Sequence, residues 1–423
     1  MKLTKHKLGE LLRVTRGASL PGTGYADEGR YLRLTLANFH EEGGFKDFKS
    51  TQGKYFIVPF DSRFLMHKGD LITPLTEQSP GLLGSVAFIP CDDLYIQSQD
   101  VGLITCNTEK LDKTFAYYLF LTHSVREQIS ARSQQTKIRH TSPDKIADVE
   151  VYIPDLPTQL RIAGVLGSID EKIELNRKKI AELEALAKTI YDYWFVQFDF
   201  PDKNGEPYKS SGGKMVWNDQ LKREVPEGWG TGTIGDLGEV VSGGTPSTSN
   251  PAFWTEYGIS WITPKDLSNT TNKYIRHGEH DITEEGLRNS SARLMPRKSI
   301  LLSTRAPIGY IAVADCALCT NQGFKSIIPN KGIGSEYIYY LVQSLIPYVK
   351  TLGVGSTFSE VSKSAFESVC IVRPPKTLVD NFNEIATHIG EARCVCEICV
   401  EESITQRDTL LPLLMNGQVE VAG

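Results

Sequence analysis

Between Leu156 and Phe195 the chain reads LPTQLRIAGVLGSIDEKIELNRKKIAELEALAKTIYDYWF. Within it Ile162, Leu166, Ile169, Ile173, Asn176, Ile180, Leu183, Ala187, Ile190 and Trp194 alternate spacings of four and three. That ladder is a heptad seam, so the spacing predicts a long helix over 159–198 with a coiled-coil face. At about 1.5 Å per residue such a helix spans on the order of 55 Å. Phe382, Ile385, Ile389, Ala392, Cys396, Cys399, Ser403, Leu410 and Leu414 follow a looser version of the spacing. They predict a second helix over 377–416, with Pro412 expected to interrupt its end. Each seam needs a partner, and the other helix is the obvious one. Asn176, polar in mid-seam, is the kind of position that fixes register at a cost in stability.

Working outward, each helix closes a block of similar length, and the two blocks match in order. Leu8-Gly9-Glu10-Leu11 answers to Ile234-Gly235-Asp236-Leu237, and Arg16-Gly17 to Ser242-Gly243-Gly244-Thr245-Pro246. Pro80-Gly81-Leu82-Leu83-Gly84 answers to Ala306-Pro307-Ile308-Gly309, and Gln97-Ser98-Gln99-Asp100 to Thr320-Asn321-Gln322-Gly323. Tyr117-Tyr118-Leu119 pairs with Tyr339-Tyr340-Leu341, and Val149–Pro154 with Val369–Pro374. The domain plan is therefore a globular unit over 1–158, a helix over 159–198, a linker over 199–230, a second unit over 231–376 and a helix over 377–416. Pro201, Asn204-Gly205, Pro207 and Ser210-Ser211-Gly212-Gly213 mark the linker as irregular. The expected fold class is α+β: two tandemly repeated globular units separated by two long antiparallel coiled-coil helices.

With 423 residues, 40% hydrophobic and 23% charged, the composition is that of an ordinary globular protein. No run of 18 apolar residues occurs and the first residues lack a signal pattern, so a cytoplasmic protein is expected. Eight cysteines without framework spacing are expected to be reduced thiols. The net charge of −5 conceals an uneven distribution. Residues 1–158 hold 19 basic and 19 acidic side chains, residues 231–376 hold 14 and 12, and residues 377–423 hold two and eight. The acidity sits in the last helix, and local basic runs remain available for nucleic acid.

The segment from Leu156-Pro157-Thr158-Gln159-Leu160-Arg161 through Tyr191-Asp192-Tyr193-Trp194-Phe195 resembles the central conserved region of the specificity subunits of type I restriction–modification systems. Ile234-Gly235-Asp236-Leu237 through Ser242-Gly243-Gly244-Thr245-Pro246-Ser247 is similar to the opening of a target-recognition domain of that family. The resemblance covers essentially the whole chain. It implies a non-enzymatic subunit in which each unit reads one half of a split, asymmetric double-stranded DNA site. The paired helices would fix the spacing and dock two methyltransferase subunits, and motor-nuclease subunits can join the same core. S-adenosylmethionine, ATP and magnesium would belong to those partners, with no cofactor or metal held by this chain. A coiled-coil scaffold that binds only proteins is the alternative; the basic polar loops count against it.

Bases are read by Arg, Lys, Asn, Gln, Ser and Thr side chains, so polar loops flanked by turn formers are the candidate readers. In the first unit these are Thr73, Thr76 and Gln78, then Arg132, Gln134, Gln135, Thr136, Lys137 and Arg139. In the second they are Ser303, Arg305, Asn321, Gln322, Ser356, Thr357 and Ser359. Lys137 is expected to hold phosphate, whereas Gln135 and Arg305 are expected to select bases. Tyr191, Tyr193, Trp194 and Phe195 are either core or a docking patch for the methyltransferase. The patch is favoured because four large aromatics within five successive residues cannot all face one seam.

Several enzyme chemistries are excluded or weak. Pro374-Pro375 sits between Arg373 and Lys376, so the Asn/Asp-Pro-Pro-Tyr/Phe motif of an adenine methyltransferase is missing, as is a phosphate-binding P-loop. Pro154-Asp155 with Asp170-Glu171-Lys172 imitates a nuclease pattern, but the last three residues fall on the predicted helix. Cys316-x-x-Cys319 and Cys394-x-Cys396-x-x-Cys399 could supply zinc thiolates, but Cys319, Cys396 and Cys399 read as small buried hydrophobes, so no metal site is expected.

Overall fold

Leu8–Glu10 and Ile234–Asp236 each form one short 3-10 turn at the opening of a unit. The Leu8 amide donates to Val149 (2.9 Å) and the Ile234 amide to Val369 (3.1 Å), so each opening is stitched to the strand just before a long helix. The computed structural model describes residues 1–46, 55–78, 80–133, 139–305, 307–353 and 360–421. They form two units, one of residues 1–173 with 402–423 and the other of residues 174–401. No helix among the described residues is long and apolar enough to cross a membrane.

In the first unit, Thr4–Lys7 pairs antiparallel with Glu150–Ile153. A four-stranded sheet runs in the order Leu12–Arg16, Val101–Cys106, Leu71–Pro74, Ala87–Phe88. A second sheet runs Tyr25–Ala26, Tyr55–Phe56, Tyr31–Arg33, Tyr95–Ile96, its last pair parallel. The second unit repeats this plan. Gly230–Thr233 pairs with Cys370–Arg373, and the larger sheet runs Gly238–Ser242, Lys325–Pro329, Ile300–Thr304, Ile308–Ala314 with Tyr274–Ile275 added at its edge. The smaller sheet runs Trp254–Thr255, His280–Ile282, Ile259–Ile262, Cys319–Thr320, again ending in a parallel pair. The order of motifs along the sequence is thus an order of strands.

The first long helix runs Leu156–Tyr191 and closes in a π turn, Asp192–Val196. Its predicted seam is the buried face: Ile162, Leu166, Ile169, Ile173 and Ala187 are buried, and Asn176, Ile180, Leu183 and Ile190 are half-buried. Leu160, Leu175 and Leu186, apolar but off the seam, are exposed. Ile162 and Leu166 pack with Leu414 and Met415 in the first unit; Ala187 and Tyr191 pack with Phe382 and Ala386 in the second. In the second unit Glu184 meets Arg393 and Tyr191 meets Phe382, so numbers rise on one helix as they fall on the other. The pairing is antiparallel.

The second helix, Lys376–Met415, departs from its predicted face. The predicted positions Phe382, Ser403 and Leu414 are buried and Ile389, Cys396, Cys399 and Leu410 are half-buried, but Ile385 is 40% exposed and Ala392 is exposed, while Ala386, Arg393 and Glu397, off the predicted spacing, are buried. Charged residues occupy the face that an apolar count assigns to their neighbours. Pro412 does not end the helix, which continues to Met415 with the Asn416 amide bonded to the Pro412 carbonyl (3.0 Å). The linker is also ordered, with Met215–Asn218 and Arg223–Pro226 forming a hairpin.

The aromatic run after the first helix is core. Tyr191, Trp194 and Phe195 are buried around Phe382, with Phe195 5.3 Å from the Phe382 ring and 5.0 Å from Tyr337. A π turn explains the packing: one extra residue per turn rotates successive side chains inward that a regular helix would turn out. Of the four residues read as a docking patch, only Tyr193 remains exposed, at 39%.

Phe382→Ala is expected to destabilise the second unit by about 3–5 kcal/mol, the usual result of emptying an aromatic core site. Ile385→Ala should cost less than about 1 kcal/mol, as at other surface positions. Denaturant unfolding followed by tryptophan fluorescence distinguishes the two; equal losses would restore Ile385 to the seam.

Candidate nucleic-acid interface

The described residues of the loops named from sequence gather at one end of the larger sheet in each unit, because successive strands turn there. In the second unit Ser242 lies opposite Lys325, and Thr304 opposite Ile308. The turns after Ser242 and Thr304 and before Lys325 therefore emerge together. A Cβ on Gly243 would lie 2.0 Å from the Asn321 carbonyl oxygen and 2.4 Å from that of Thr320, so only glycine permits the approach. Gly17 holds the same place in the first unit, where a Cβ would come within 2.4 Å of the Gln97 and Ser98 oxygens.

In this second cluster the Thr245 hydroxyl donates to the Gln322 side-chain oxygen, and Trp261 Nε1 donates to the Gly244 carbonyl at 2.8 Å. Gln322 is exposed, whereas Asn321 is turned inward with Oδ1 accepting from the Gly323 amide (2.9 Å). Arg305 pairs with Glu360 across a bridge, its guanidinium 4.0 Å from the carboxylate and 43% exposed. Buried Lys325 reaches the same carboxylate at 3.3 Å. Ser303 is buried, donating to the Pro307 carbonyl and accepting from the Tyr310 amide, both at 2.8 Å. Its hydroxyl is committed to the bulge between Leu302 and Thr304, and it is withdrawn as a base reader.

In the first unit Thr76–Glu77 pairs with Arg139–His140. The buried Glu77 carboxylate accepts from the amides of Gly81 (3.1 Å), Leu82 (2.9 Å) and Leu83 (2.9 Å) and meets Arg139 at 2.8 Å. Arg139 also donates to the Ser130 hydroxyl (2.7 Å) and carbonyl (2.9 Å) and to Ser133 (2.9 Å). With its donors so engaged, Arg139 is a brace and not an available phosphate ligand. Arg132 is half-buried and bonded to the Gln128 side chain at 3.1 Å. Thr73 is fully buried and donates to the Ser85 carbonyl (2.8 Å), so it too is withdrawn as a base reader. Thr76 is buried in the strand pair and Gln78 is exposed. Gln134, Gln135, Thr136 and Lys137, with Ser356, Thr357 and Ser359, lie outside the described residues.

Sequence reasoning passed over Glu77, Glu360 and Lys325, which anchor the loops from beneath. A search for donors to bases skips acids; the signal was an acid beside each donor-rich loop. The two clusters share a backbone plan. The Thr141 amide donates to Leu75 (2.9 Å) and the Val361 amide to Thr304 (3.0 Å), which makes Thr76 equivalent to Arg305 and His140 to Glu360.

A family model described as type I restriction modification DNA specificity domain matches residues 2–185 and 226–378. The HindI specificity subunit of Haemophilus influenzae is 26% identical over 414 residues, covering 86% of this chain and 89% of that protein. The MjaIX specificity subunit of Methanocaldococcus jannaschii is 44% identical over 167 residues, covering 38% of each. The EcoR124I/EcoR124II specificity subunit of Escherichia coli is 35% identical over 304 residues, covering 69% of this chain and 65% of that protein. Among solved structures, the S subunit of a type I restriction–modification system from M. genitalium shares the fold with a TM-score of 0.65 at 16% identity, over 98% of this chain and 96% of that one.

Arg139→Ala leaves Glu77 buried without its cation, and should cost the first unit about 3 kcal/mol. Arg305→Ala, at a loose and exposed pair, should change the stability of the second unit by less than about 0.5 kcal/mol. Thermal unfolding of the two variants checks the contrast.

Proposed function

The chain belongs to the family of type I restriction–modification DNA specificity subunits, and on that premise we propose that each unit reads one half of a split, asymmetric double-stranded DNA site through its loop cluster. One observation carries the reading: the same backbone pairing presents Thr76 and His140 in one unit but Arg305 and Glu360 in the other. A repeated scaffold with unlike side chains at equivalent positions suits two unlike half-sites. Arg305 and Gln322 offer fork-shaped and amide donors to base edges in the major groove, and Gln78 does the same in the first unit. Glu360 and Lys325 hold the Arg305 loop in place so that little ordering entropy is lost on contact.

Neither unit is strongly basic, with 19 basic against 19 acidic side chains over 1–158 and 14 against 12 over 231–376. Nonspecific affinity comes mainly from phosphate neutralisation, so partners have to supply much of it. The long helices, with Tyr193 exposed at the end of the first, are the surface on which two adenine-methylating subunits would dock. Those subunits would bring S-adenosylmethionine, and any motor-nuclease subunits would bring ATP and magnesium chemistry. This chain itself contributes recognition, in the cytoplasm where its DNA lies.

Methylome mapping tests the reading. Co-expression with the neighbouring methyltransferase subunit should place N6-methyladenine in a split motif that is lost when this chain is omitted. Replacing residues 231–376 with those of a relative should change one half of that motif. Arg305→Ala should relax one base in the same half, a discrimination of about 1–3 kcal/mol. A stable complex that adds no methylation would favour the protein-binding scaffold instead.

A further inference from the structure

The paired tyrosines of each unit lead to the same arrangement of three side chains. Tyr118 lies on the short helix Lys113–Leu121 and donates its hydroxyl to Asp170 of the first long helix at 2.6 Å. Arg407 of the second long helix meets the other oxygen of that carboxylate at 3.1 Å. In the second unit Tyr340, on the helix Ser335–Thr351, donates to Glu184 at 3.0 Å, and Arg393 pairs with the same Glu184 oxygen. Asp170 and Glu184 are fourteen residues apart on one long helix, and Arg393 and Arg407 fourteen apart on the other. Fourteen residues are two heptads, so each pair recurs at the same position of the coiled-coil repeat. We propose that Tyr118–Asp170–Arg407 and Tyr340–Glu184–Arg393 are positioning residues that seat each reading unit on both long helices and thereby set the DNA spacer the protein accepts.

The chemistry favours positioning over stability. Asp170 and Glu184 are largely buried, at 28% and 25% side-chain exposure, and Arg393 is at 7%. Apolar residues of similar volume hold such sites as firmly or more so, and polar groups in a seam are best attested as register markers. A hydrogen bond is directional: sliding a helix by one residue moves its side chains about 1.5 Å along the axis and turns them about 100°, which breaks every contact in a triad. Burial and the adjacent carboxylates push both phenols far above the ordinary tyrosine range, so each remains a donor at working pH. Burial disfavours the charge on Arg393 and Arg407, but the carboxylates outweigh it and raise both above the usual value.

The second triad is extended by a further tie. Arg393 Nε donates to buried Glu397 at 2.7 Å, and Glu397 accepts from the backbone amides of Lys273 (2.9 Å) and Tyr274 (3.2 Å). Lys273 itself is buried against Glu336 at 2.5 Å, over the rings of Tyr339 and Tyr340. The edge strand Tyr274–Ile275 is thereby fastened to the second long helix.

The proposal rests on the DNA-reading function, and its test separates the two. The complete complex with its methyltransferase subunits is assayed on DNA carrying the native split site and on sites whose spacer is one base pair shorter or longer. Tyr118→Phe combined with Tyr340→Phe keeps the ring packing and removes both phenol bonds. With both phenol bonds lost, the preference for the native spacer should fall about tenfold in kcat/KM ratio, with base preference within each half unchanged. Glu184→Gln, which still accepts the phenol but loses the charge pair, should relax the spacer less than the double variant does. An unchanged ratio in folded double variant overturns the proposal, as does an equal loss on all three spacers, which marks a purely structural role. A wild-type complex that methylates no split site overturns the DNA-reading function instead.

Discussion

The antiparallel packing of the two long helices is the constraint on which the rest depends. Neither unit closes its core from one continuous stretch of chain. The first needs Leu414 and Met415 beside Ile162 and Leu166, and the second needs Phe382 and Ala386 beside Ala187 and Tyr191. Arg407 and Asp170 meet across 237 residues of sequence. Closing so long a loop is costly in entropy and slow, so the first unit completes its core only after the second long helix is in place. The two reading units are consequently parts of one folding problem although their sheets are separate.

That coupling explains how the repeats diverge where they do. Strand order, the opening 3-10 turn, the glycine at the close loop crossing and the tyrosine on the short helix are duplicated, since each carries packing or backbone geometry. Side chains at the loop tips carry none of that load. Thr76 and Arg305 occupy one backbone position, and either is compatible with the strand bridge beneath it. Scaffold and reader are separable in physical terms: substitutions at Gln322 or Arg305 leave buried groups satisfied, whereas those at Glu77 or Ser303 do not.

Most of the architecture was legible in the sequence because it is written in apolar spacing and turn residues. The first helix shows it well: Leu160, Leu175 and Leu186 fall off the ladder and are exposed, as the spacing requires. The second helix was misread at Ile385 and Ala392 because its buried face holds Arg393 and Glu397, and a periodicity count scores charge as solvent-facing. The aromatic run after Tyr191 was misassigned because a π turn changes the residue-to-face mapping that helical spacing assumes. Within the loops, composition identified the right neighbourhoods but not the roles. Arg139 and Ser303 have the chemistry of readers, and only their partners, Glu77 and the Pro307 carbonyl, reveal that they hold the loops up.

The charged face of the second helix then has a physical rationale. A helix pair held by apolar contacts alone tolerates displacement by a heptad, because one layer of Leu and Ile packs much like the next. A carboxylate that must meet a phenol from one side and a guanidinium from the other has a single satisfactory alignment. Misalignment leaves a charge with most of its surface out of water and no partner, a penalty several times larger than the net gain from forming the pair. Asp170 and Glu184 thus contribute little to the depth of the native minimum and much to its uniqueness. On the proposed reading of two separated half-sites, uniqueness of helix register is the property that turns local loop chemistry into recognition of one composite site.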